Sequence, residues 1–209
     1  MNLKRITLLL SFVALLQACA SAPISSSVED SASKALYNQH LLNIATITQF
    51  TLKGRIGVQT EDKGFSGGLN WQHSASNDDI SLYSPLGGQV ASIKKTAYKV
   101  TLMDAKNNSV SAKDAETLTQ TTLGWRLPLT GLADWSLGRP ANSAIQAIAW
   151  DEQGHLSRLK QDGWDIEYQN YSEQNGHFLP TKILLKSEKV NLKLLVEKWD
   201  VLVGQRAEN

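Results

Sequence analysis

Residues 50–58 have the sequence Phe-Thr-Leu-Lys-Gly-Arg-Ile-Gly-Val, in which Leu52, Ile56 and Val58 alternate with polar, charged or glycine positions. The same period of two returns at residues 65–72, Phe-Ser-Gly-Gly-Leu-Asn-Trp-Gln. Because successive side chains of a strand point to opposite faces of a sheet, both segments are predicted to be strands with one apolar face. A β-sheet with one buried face is therefore the expected centre of the domain.

Further segments with this period lie on both sides of a break in the pattern. Before the break they cover residues 80–83 and 98–102, and Tyr98 is predicted to lie on the apolar face. After the break they are predicted at residues 147–150, 156–161, 164–171, 179–185 and 190–199. Turn residues separate these short runs, which indicates a mainly β, antiparallel meander of about ten or eleven strands.

Helical periodicity precedes the sheet and returns at the break. Residues 34–48 carry apolar and aromatic side chains at helical spacing, which predicts one amphipathic helix. These side chains are Leu36, Tyr37, His40, Leu41, Ile44 and Ile47. At the break, Asp114 is placed to cap a helix over residues 115–123, and a second short helix is expected to end near residues 135–138. This helical insertion, residues 114–138, is too short to fold alone and is predicted to cover the sheet.

The helical insertion is crowded with large apolar side chains. They are Trp125, Leu127, Leu129, Leu132, Trp135 and Leu137. One interpretation is ordinary core packing, which is the usual role of a buried tryptophan. The other is that a curved sheet under a helical cover encloses an apolar ligand, as the mouths of barrels do.

The segment Ser84-Pro85-Leu86-Gly87-Gly88 has the composition of a turn. One interpretation is a plain turn in which Leu86 packs on the domain. The other is that Pro85 and Gly87 hold the Leu86 side chain in solvent, from where it can touch a bilayer. Burial of one leucine contributes only about 1.5–3 kcal/mol, which biases local membrane contact but cannot anchor a protein.

The N-terminus carries a processing signal that ends at the single cysteine of the chain. Two basic residues are followed by a mostly apolar run over residues 6–16, and Leu-Gln-Ala-Cys at residues 16–19 resembles a bacterial lipobox. A helix of this length reaches roughly 16 Å, about half of the hydrocarbon thickness, so it does not span a membrane. The motif implies a signal peptide over residues 1–18 and a Cys19 with an S-diacylglyceryl and an N-acyl group. Ordinary secretion with cleavage nearby is the alternative.

Composition limits the possible roles of the chain after the signal peptide. Residues 20–33 are rich in Ser and Ala and are predicted to be a flexible tether between Cys19 and a single domain over residues 34–209. A net charge of +1 argues against nucleic-acid binding, and no second cysteine exists for a disulfide or a thiolate metal site. No other apolar run has the length of a transmembrane helix, so we expect a soluble domain on a lipid tether. We also expect this domain to be a monomer.

Catalytic motifs are weak in this chain. Gly64-Phe65-Ser66-Gly67-Gly68 matches the G-x-S-x-G pattern of a serine hydrolase, but that motif needs a strand-to-helix turn and the next residues alternate like a strand. His73 and His177 have no metal-ligand spacing to a partner, and no phosphate loop, dinucleotide fingerprint or zinc motif is present. We therefore predict no cofactor and no enzymatic activity, with a lipid-anchored hydrolase that uses Ser66 as the alternative.

The chain resembles the LolB family, the outer-membrane lipoprotein receptors of the Lol lipoprotein-localisation pathway in Gram-negative bacteria. The resemblance lies in the order of lipobox, helix, meander, Pro-Leu-Gly loop and helical insertion. Its most specific marks are Ser84-Pro85-Leu86-Gly87, Leu127-Pro128-Leu129 and Trp135-Ser136-Leu137-Gly138. The family typically has Asn-Pro-Leu-Gly at the loop, so Ser84 departs from the pattern and leaves Leu86 in place. Ala20 stands where Asp would resemble an inner-membrane retention signal, which permits an outer-membrane destination.

The resemblance implies a fold, a location and a function. The fold is expected to be an open, incomplete antiparallel β-barrel of about eleven strands, with short helices as a lid over an apolar cavity. Cys19 would anchor the chain on the periplasmic side of the outer membrane. The protein would accept lipoproteins from the periplasmic carrier LolA, hold their acyl chains in the cavity and use Leu86, with Pro85 and Gly87, for membrane insertion. A structural or assembly lipoprotein without a ligand is a further alternative.

Overall fold

The computed structural model describes residues 31–123, 126–127 and 129–204. Its elements in chain order are α1 (Ser31–Ile44), β1 (Ile47–Thr60), β2 (Gly64–His73), β3 (Asp78–Tyr83), β4 (Gln89–Lys95), β5 (Val100–Asp104), β6 (Ser109–Ala112), α2 (Ala115–Leu123), α3 (Leu129–Ser136), β7 (Ile145–Trp150), β8 (Leu156–Gln161), β9 (Trp164–Gln174), β10 (His177–Lys186) and β11 (Val190–Val203). Within these ranges, no helix combines the length and the apolar character that crossing a bilayer requires.

All eleven strands belong to one antiparallel sheet with the order β6-β5-β4-β3-β2-β1-β11-β10-β9-β8-β7. Within β1–β6 and within β7–β11 each strand pairs with its neighbours in sequence, and β1 pairs with β11 and thereby joins the two halves of the meander. β6 and β7 remain the two edges of the described sheet, so the sheet is open. The prediction of an open, antiparallel, mainly β fold with a few short helices is confirmed.

The register places the strand ends in two groups. β1 begins at Ile47 shortly after α1, and Phe50 of β1 pairs with His73 at the end of β2. We call this side of the sheet the α1 end. On the opposite side, β1 finishes at Thr60, and residues 84–88 join β3 to β4. We call this side the Leu86 end.

Close pairing between the two halves of the sheet depends on Gly54. The β1–β11 register shifts between Lys53 and Gly54, and a Cβ atom at Gly54 would collide with the carbonyl oxygen of Leu195. A β-bulge of this kind bends the strand and increases its twist. The glycine that continues the alternation in β1 is therefore required by the approach of β11.

α1 follows the predicted pattern with shifted bounds. It begins earlier than its periodicity indicated and ends at Ile44, and Ile47 starts β1 instead of continuing the helix. Tyr37, His40 and Ile44 are buried, whereas Leu36 is exposed. The buried side of α1 is therefore narrower than the sequence pattern predicted.

α2 begins where its cap was predicted. The Asp114 side chain accepts a hydrogen bond of 2.7 Å from the backbone N–H of Thr117, which satisfies a free donor at the helix start. Hydrogen bonds from Thr117 hold the pKa of Asp114 below its usual range. After α3, Gly138 adopts a φ of 79°, the left-handed conformation that commonly ends a helix.

Tyr98 does not lie on the apolar face of a strand, so that part of the prediction is wrong. Its side chain is 89% exposed in the turn between β4 and β5, and β5 begins only at Val100. The Thr96 Oγ1 atom accepts hydrogen bonds from the backbone N–H groups of Tyr98 and Lys99. These local bonds fix the turn and delay the start of the strand.

β4 and β6 are strands that the sequence pattern does not single out. In β4 the neighbours Ser92 and Ile93 are both buried, which breaks the period of two. β6 is short and mostly exposed at the edge of the sheet. Both are held by pairing with β5 rather than by a marked alternation of their own residues.

Candidate functional site

An apolar cavity of about 380 Å³ lies between the sheet and the helical insertion. Its lining comprises Ile56, Val58, Thr60, Lys63, Gly64, Phe65, Leu69, Trp71, Ile80, Leu82, Ile93, Thr122, Leu127, Leu132, Leu185, Leu192 and Leu194. Small-molecule sites commonly have volumes of roughly 300–1,000 Å³. Because most of the lining residues are aliphatic or aromatic, the cavity suits an apolar ligand.

The sheet side of the cavity is built by the alternation of its strands. Leu69 and Trp71 of β2 pair with Leu82 and Ile80 of β3, respectively. Residues two apart on a strand share a face, so these four side chains form one apolar surface. The apolar face that the sequence indicates for these strands is the wall of the cavity.

The helical insertion contributes Leu127 and Leu132 to the cavity wall. Leu129, Trp135 and Leu137 do not line the cavity, and each is at most 1% exposed within the core. Of these five described residues of the insertion, two face the cavity and three are buried in the core and hold the insertion in place.

Gln161 at the end of β8 holds α3 and the segment that follows it through four side-chain hydrogen bonds. Its buried Oε1 atom accepts hydrogen bonds from the indole N–H of Trp135 at 2.8 Å and the backbone N–H of Ala141 at 2.9 Å. Its Nε2 atom donates to the backbone oxygens of Ala141 and Ser143, each at 2.9 Å. The amide thus uses its full hydrogen-bonding capacity. No sequence signal points to Gln161, because a polar residue is ordinary beside the turn at residues 162–163.

Arg139 joins the end of the helical insertion to α1. Its Nε atom donates to Asp134 of α3 at 2.7 Å, and its Nη1 atom donates to the backbone oxygen of Ile44 at 3.0 Å. A cation near the last turn of a helix satisfies free carbonyl groups and interacts favourably with the helix dipole. The C-terminal ends of α1 and α3 are therefore held together.

A buried polar cluster lies next to Trp71 at the α1 end. The Asp78 carboxylate, whose side chain is fully buried, accepts hydrogen bonds from Trp71 Nε1 at 2.9 Å and His73 Nδ1 at 2.7 Å. Lys95 Nζ donates to its other oxygen at 3.1 Å. Burial raises the pKa of Asp78, but hydrogen bonds from His73 and Trp71 and the charge of Lys95 outweigh it and leave the pKa below its usual range. From sequence, Asp78 carries only a turn signal.

Leu86 is the most exposed large apolar residue of the described chain, with 97% of its side chain in solvent. The loop is closed by hydrogen bonds from Gly87 N to Ser84 O at 2.9 Å and from Ser84 N to Gly88 O at 2.8 Å. Gly87 has a φ of 88°, and Pro85 occupies the second turn position, where its fixed φ is favourable. The turn therefore presents Leu86 outward with a defined backbone.

The cavity and Leu86 lie toward the same end of the sheet. Thr60, Lys63 and Gly64 line the cavity and belong to the end of β1, the following turn and the start of β2. These positions lie at the Leu86 end, where residues 84–88 join β3 to β4. An apolar ligand that leaves the cavity in this direction moves toward the end that carries Leu86.

Ser66 lies exposed within β2 and not on a strand-to-helix turn. Strand pairing continues through its neighbours to His73, which bonds Asp78. His177 Nδ1 lies 2.7 Å from the side-chain oxygen of Asn43, far along the chain. The two histidines therefore have separate structural partners. Cys19 and Trp125 lie outside the described residues.

Comparisons with known proteins agree on one family. A family model described as outer membrane lipoprotein LolB matches residues 48–199. The outer-membrane lipoprotein LolB of Pseudomonas fluorescens is 33% identical over 189 residues, which cover 90% of this chain and 92% of that protein. The LolB of Pseudomonas savastanoi is 31% identical over 195 residues, or 93% and 95% of the two chains.

Solved structures show a related fold. A LolA superfamily protein from Nitrosomonas europaea superposes with a TM-score of 0.51 over 83% of this chain and 94% of its own, at 8% identity. At that identity the likeness concerns the fold alone. Sequence similarity over nearly the whole chain is what identifies the relatives, and by that similarity the chain belongs to the LolB family of outer-membrane lipoproteins.

Proposed function

We propose that this protein is an outer-membrane lipoprotein receptor, which accepts acylated lipoproteins from a periplasmic carrier of the LolA kind and inserts them into the outer membrane. It acts as a monomer, by transfer of acyl chains and without enzymatic chemistry. The observation that carries the proposal is an apolar cavity under a helical cover that reaches the end of the sheet where Leu86 is exposed.

The energetics of the cargo explain why such a cavity is needed. Three acyl chains of about sixteen carbons represent roughly 35–40 kcal/mol of apolar transfer free energy, at ~0.8 kcal/mol per methylene. Chains with that cost of hydration cannot cross an aqueous compartment bare. A receptor without an energy source can only exchange them between similar apolar environments, from the carrier to its own cavity and then to the bilayer.

The cover of the cavity must move during this exchange. Three acyl chains are larger than the drug-sized ligands that fill sites of roughly 300–1,000 Å³, whereas the cavity has about 380 Å³. Thr122, Leu127 and Leu132 are the residues of the helical insertion that line the cavity and separate from the sheet when it widens. The insertion rotates about two contacts that stay in place. These are the hydrogen bond of Trp135 with Gln161 and that of Arg139 with the backbone oxygen of Ile44.

The direct test uses an acylated lipoprotein held by the purified carrier and incubated with the purified receptor. The cargo should pass to the receptor without ATP, and then to added vesicles. Separation of the two proteins by affinity tags measures where the cargo is. Cargo that stays on the carrier at equal receptor concentration would contradict the proposal.

Leu86→Glu is expected to slow insertion into vesicles at least about tenfold, while transfer from the carrier to the receptor stays normal. The reason is that the exposed leucine loses about 1.5–3 kcal/mol of favourable contact with the bilayer, and an added charge resists entry. Tyr98→Glu is the matched control, because Tyr98 is also highly exposed on a turn, but at the α1 end. If both variants insert cargo at the same rate as the wild type, Leu86 is only a turn residue.

Cys19→Ala is expected to abolish incorporation of labelled fatty acid and to release the protein from membranes. Cys19 is the single cysteine of the chain, so no other thiol can carry the diacylglyceryl group. Metabolic labelling followed by membrane fractionation measures both effects, and Ser21→Ala provides the control within the same segment. Labelling that persists in Cys19→Ala would place the lipid elsewhere.

A further inference from the structure

Trp71 forms the boundary between the apolar cavity and a polar cleft. The indole is 1% exposed and lines the cavity. Phe50, His73, Asp78 and Lys95 belong to a cleft of about 580 Å³ at the α1 end. The Phe50 ring packs edge-on against Trp71, with ring centroids 5.1 Å apart. An acyl chain that enters from the Leu86 end therefore meets Trp71 as the end wall of the cavity, and Phe50 supports this indole without lining the cavity itself.

The Asp78 carboxylate holds Trp71 directly and supports Phe50 through His73. Apolar packing alone is non-directional, whereas the 2.9 Å hydrogen bond from Trp71 Nε1 fixes which edge of the indole faces the cavity. The Phe50 ring stacks on His73 with centroids 4.8 Å apart, and His73 bonds the same carboxylate. A shift of Asp78 would therefore remove the hydrogen bond that orients Trp71 and the partner of the histidine on which Phe50 stacks.

The hydrogen bond from the indole N–H of Trp71 does not by itself require a charged acceptor such as Asp78. Any neutral oxygen can accept that hydrogen bond, whereas a buried carboxylate loses its hydration and depends on every partner around it. The partners of Asp78 come from the strands on both sides of β3, namely β2 with Trp71 and His73, and β4 with Lys95. Rotation of the indole would leave the buried charge with fewer donors, so the cluster resists displacement of Trp71.

We propose that Asp78 is a positioning residue that sets the depth of the acyl-chain site by holding Trp71 across the end of the cavity. The ligands concerned are saturated acyl chains, and any length beyond the wall gains no further binding. This inference rests on the proposed function, because it requires that the cavity bind acyl chains.

The test compares the affinities of saturated fatty acids of increasing length for the mature chain with Cys19→Ala, which retains every described residue. With the native cavity, each added methylene should tighten binding about fourfold until the chain reaches Trp71, after which affinity stops rising. In Asp78→Ala, affinity should continue to rise with chain length beyond that point. The longest fatty acids should therefore bind this variant about tenfold or more tightly than they bind the native cavity. Asp78→Asn keeps an oxygen for the indole N–H but loses the charge, so it should restore the native length limit only in part.

Asp79→Asn is the matched control. Asp79 is the next residue on β3 and forms an exposed ion pair with Lys94 at 3.3 Å, so this variant should keep the native length limit. An unchanged limit in Asp78→Ala would overturn the inference, although the cavity still binds acyl chains. If the native cavity binds no fatty acid of any length, the proposed function itself fails.

A measurement on the native cavity decides the matter if Asp78→Ala does not fold. The indole N–H resonance of Trp71 is identified by its absence from the spectrum of Trp71→Phe. It should exchange slowly with solvent and shift only when the bound chain is long enough to reach the wall. Rapid exchange, or equal shifts with short and long chains, would overturn the role of Asp78.

Discussion

Leu132→Glu is expected to weaken acyl-chain binding at least about a hundredfold while the domain remains folded. Leu132 is partly buried on α3, and its side chain lines the cavity. A bound acyl chain displaces the water around the introduced carboxylate, which has no charged partner. This desolvation weakens binding by roughly 3 kcal/mol or more, which corresponds to about a hundredfold in Kd. Displacement of a fluorescent fatty acid from the mature chain with Cys19→Ala measures the loss.

Thr121→Glu is the control for the added charge. Thr121 is exposed on α2 and does not line the cavity, whereas its neighbour Thr122 does. A glutamate at Thr121 therefore brings the same charge to the helical insertion without entering the apolar wall, and binding should stay within about twofold of the native value. Equal affinities for Leu132→Glu and the native chain would show that acyl chains do not occupy this cavity.

The sheet could be predicted because its strands repeat one simple pattern. Leu69 and Trp71 alternate with polar neighbours in sequence, and the structure places both on the cavity wall beside β3. A period of two is a local property, so it survives in the sequence whatever the long-range pairing is. Strand order is not local. The pairing of β1 with β11 joins residues far apart in the chain, and no pattern within either strand specifies its partner.

Competing hydrogen bonds, one local and one long-range, explain where the sequence prediction was wrong. Tyr98 continues the alternation of Val100, but the hydroxyl of Thr96 binds the backbone of the turn and excludes Tyr98 from the strand. Ile47 continues the helical spacing of α1, but pairing with Val203 of β11 places it in β1. In both cases a hydrogen-bonding partner outside the periodic pattern determines the structure.

The residues that position the site could not be predicted from sequence. Gln161 and Asp78 each appear beside a turn, where a polar residue has no special meaning. Their importance depends on burial and on donors that come from other strands and from α3, such as Trp135 for Gln161. The exposure of Leu86 was one of two interpretations that the sequence left open, and the structure supports it over a leucine packed on the domain.

Acidification from about pH 6.5 to 4 is expected to lower the free energy of unfolding of the domain by about 3 kcal/mol through His40. His40 is 9% exposed on the buried side of α1, and its Nε2 atom has no hydrogen-bond partner among the described residues. Burial, followed by the nearby His155, lowers the pKa of His40 from 6.5 to about 4; His177 acts in the same direction, and Asp151 opposes them.

The sign follows from which state binds the proton first. The unfolded chain protonates His40 near pH 6.5, whereas the folded chain does so only near pH 4. Between these values the unfolded state carries more protons, so its stability relative to the folded state grows as the pH falls. The contribution of neutral His40 is fully present above about pH 6.5 and is lost by about pH 4. Denaturant unfolding at several pH values measures this slope.

His40→Phe is the variant that isolates the effect. A phenyl ring keeps the edge-on contacts that His40 makes with His155 and Tyr171, whose centroids lie 4.9 and 6.1 Å away, but it cannot take up a proton. The free energy of unfolding of His40→Phe should therefore change much less with pH over the same range. The loss in the native chain should appear first as faster hydrogen exchange in α1, because protonation acts at the packing of this helix. Equal slopes for the two proteins would assign the pH dependence to other groups.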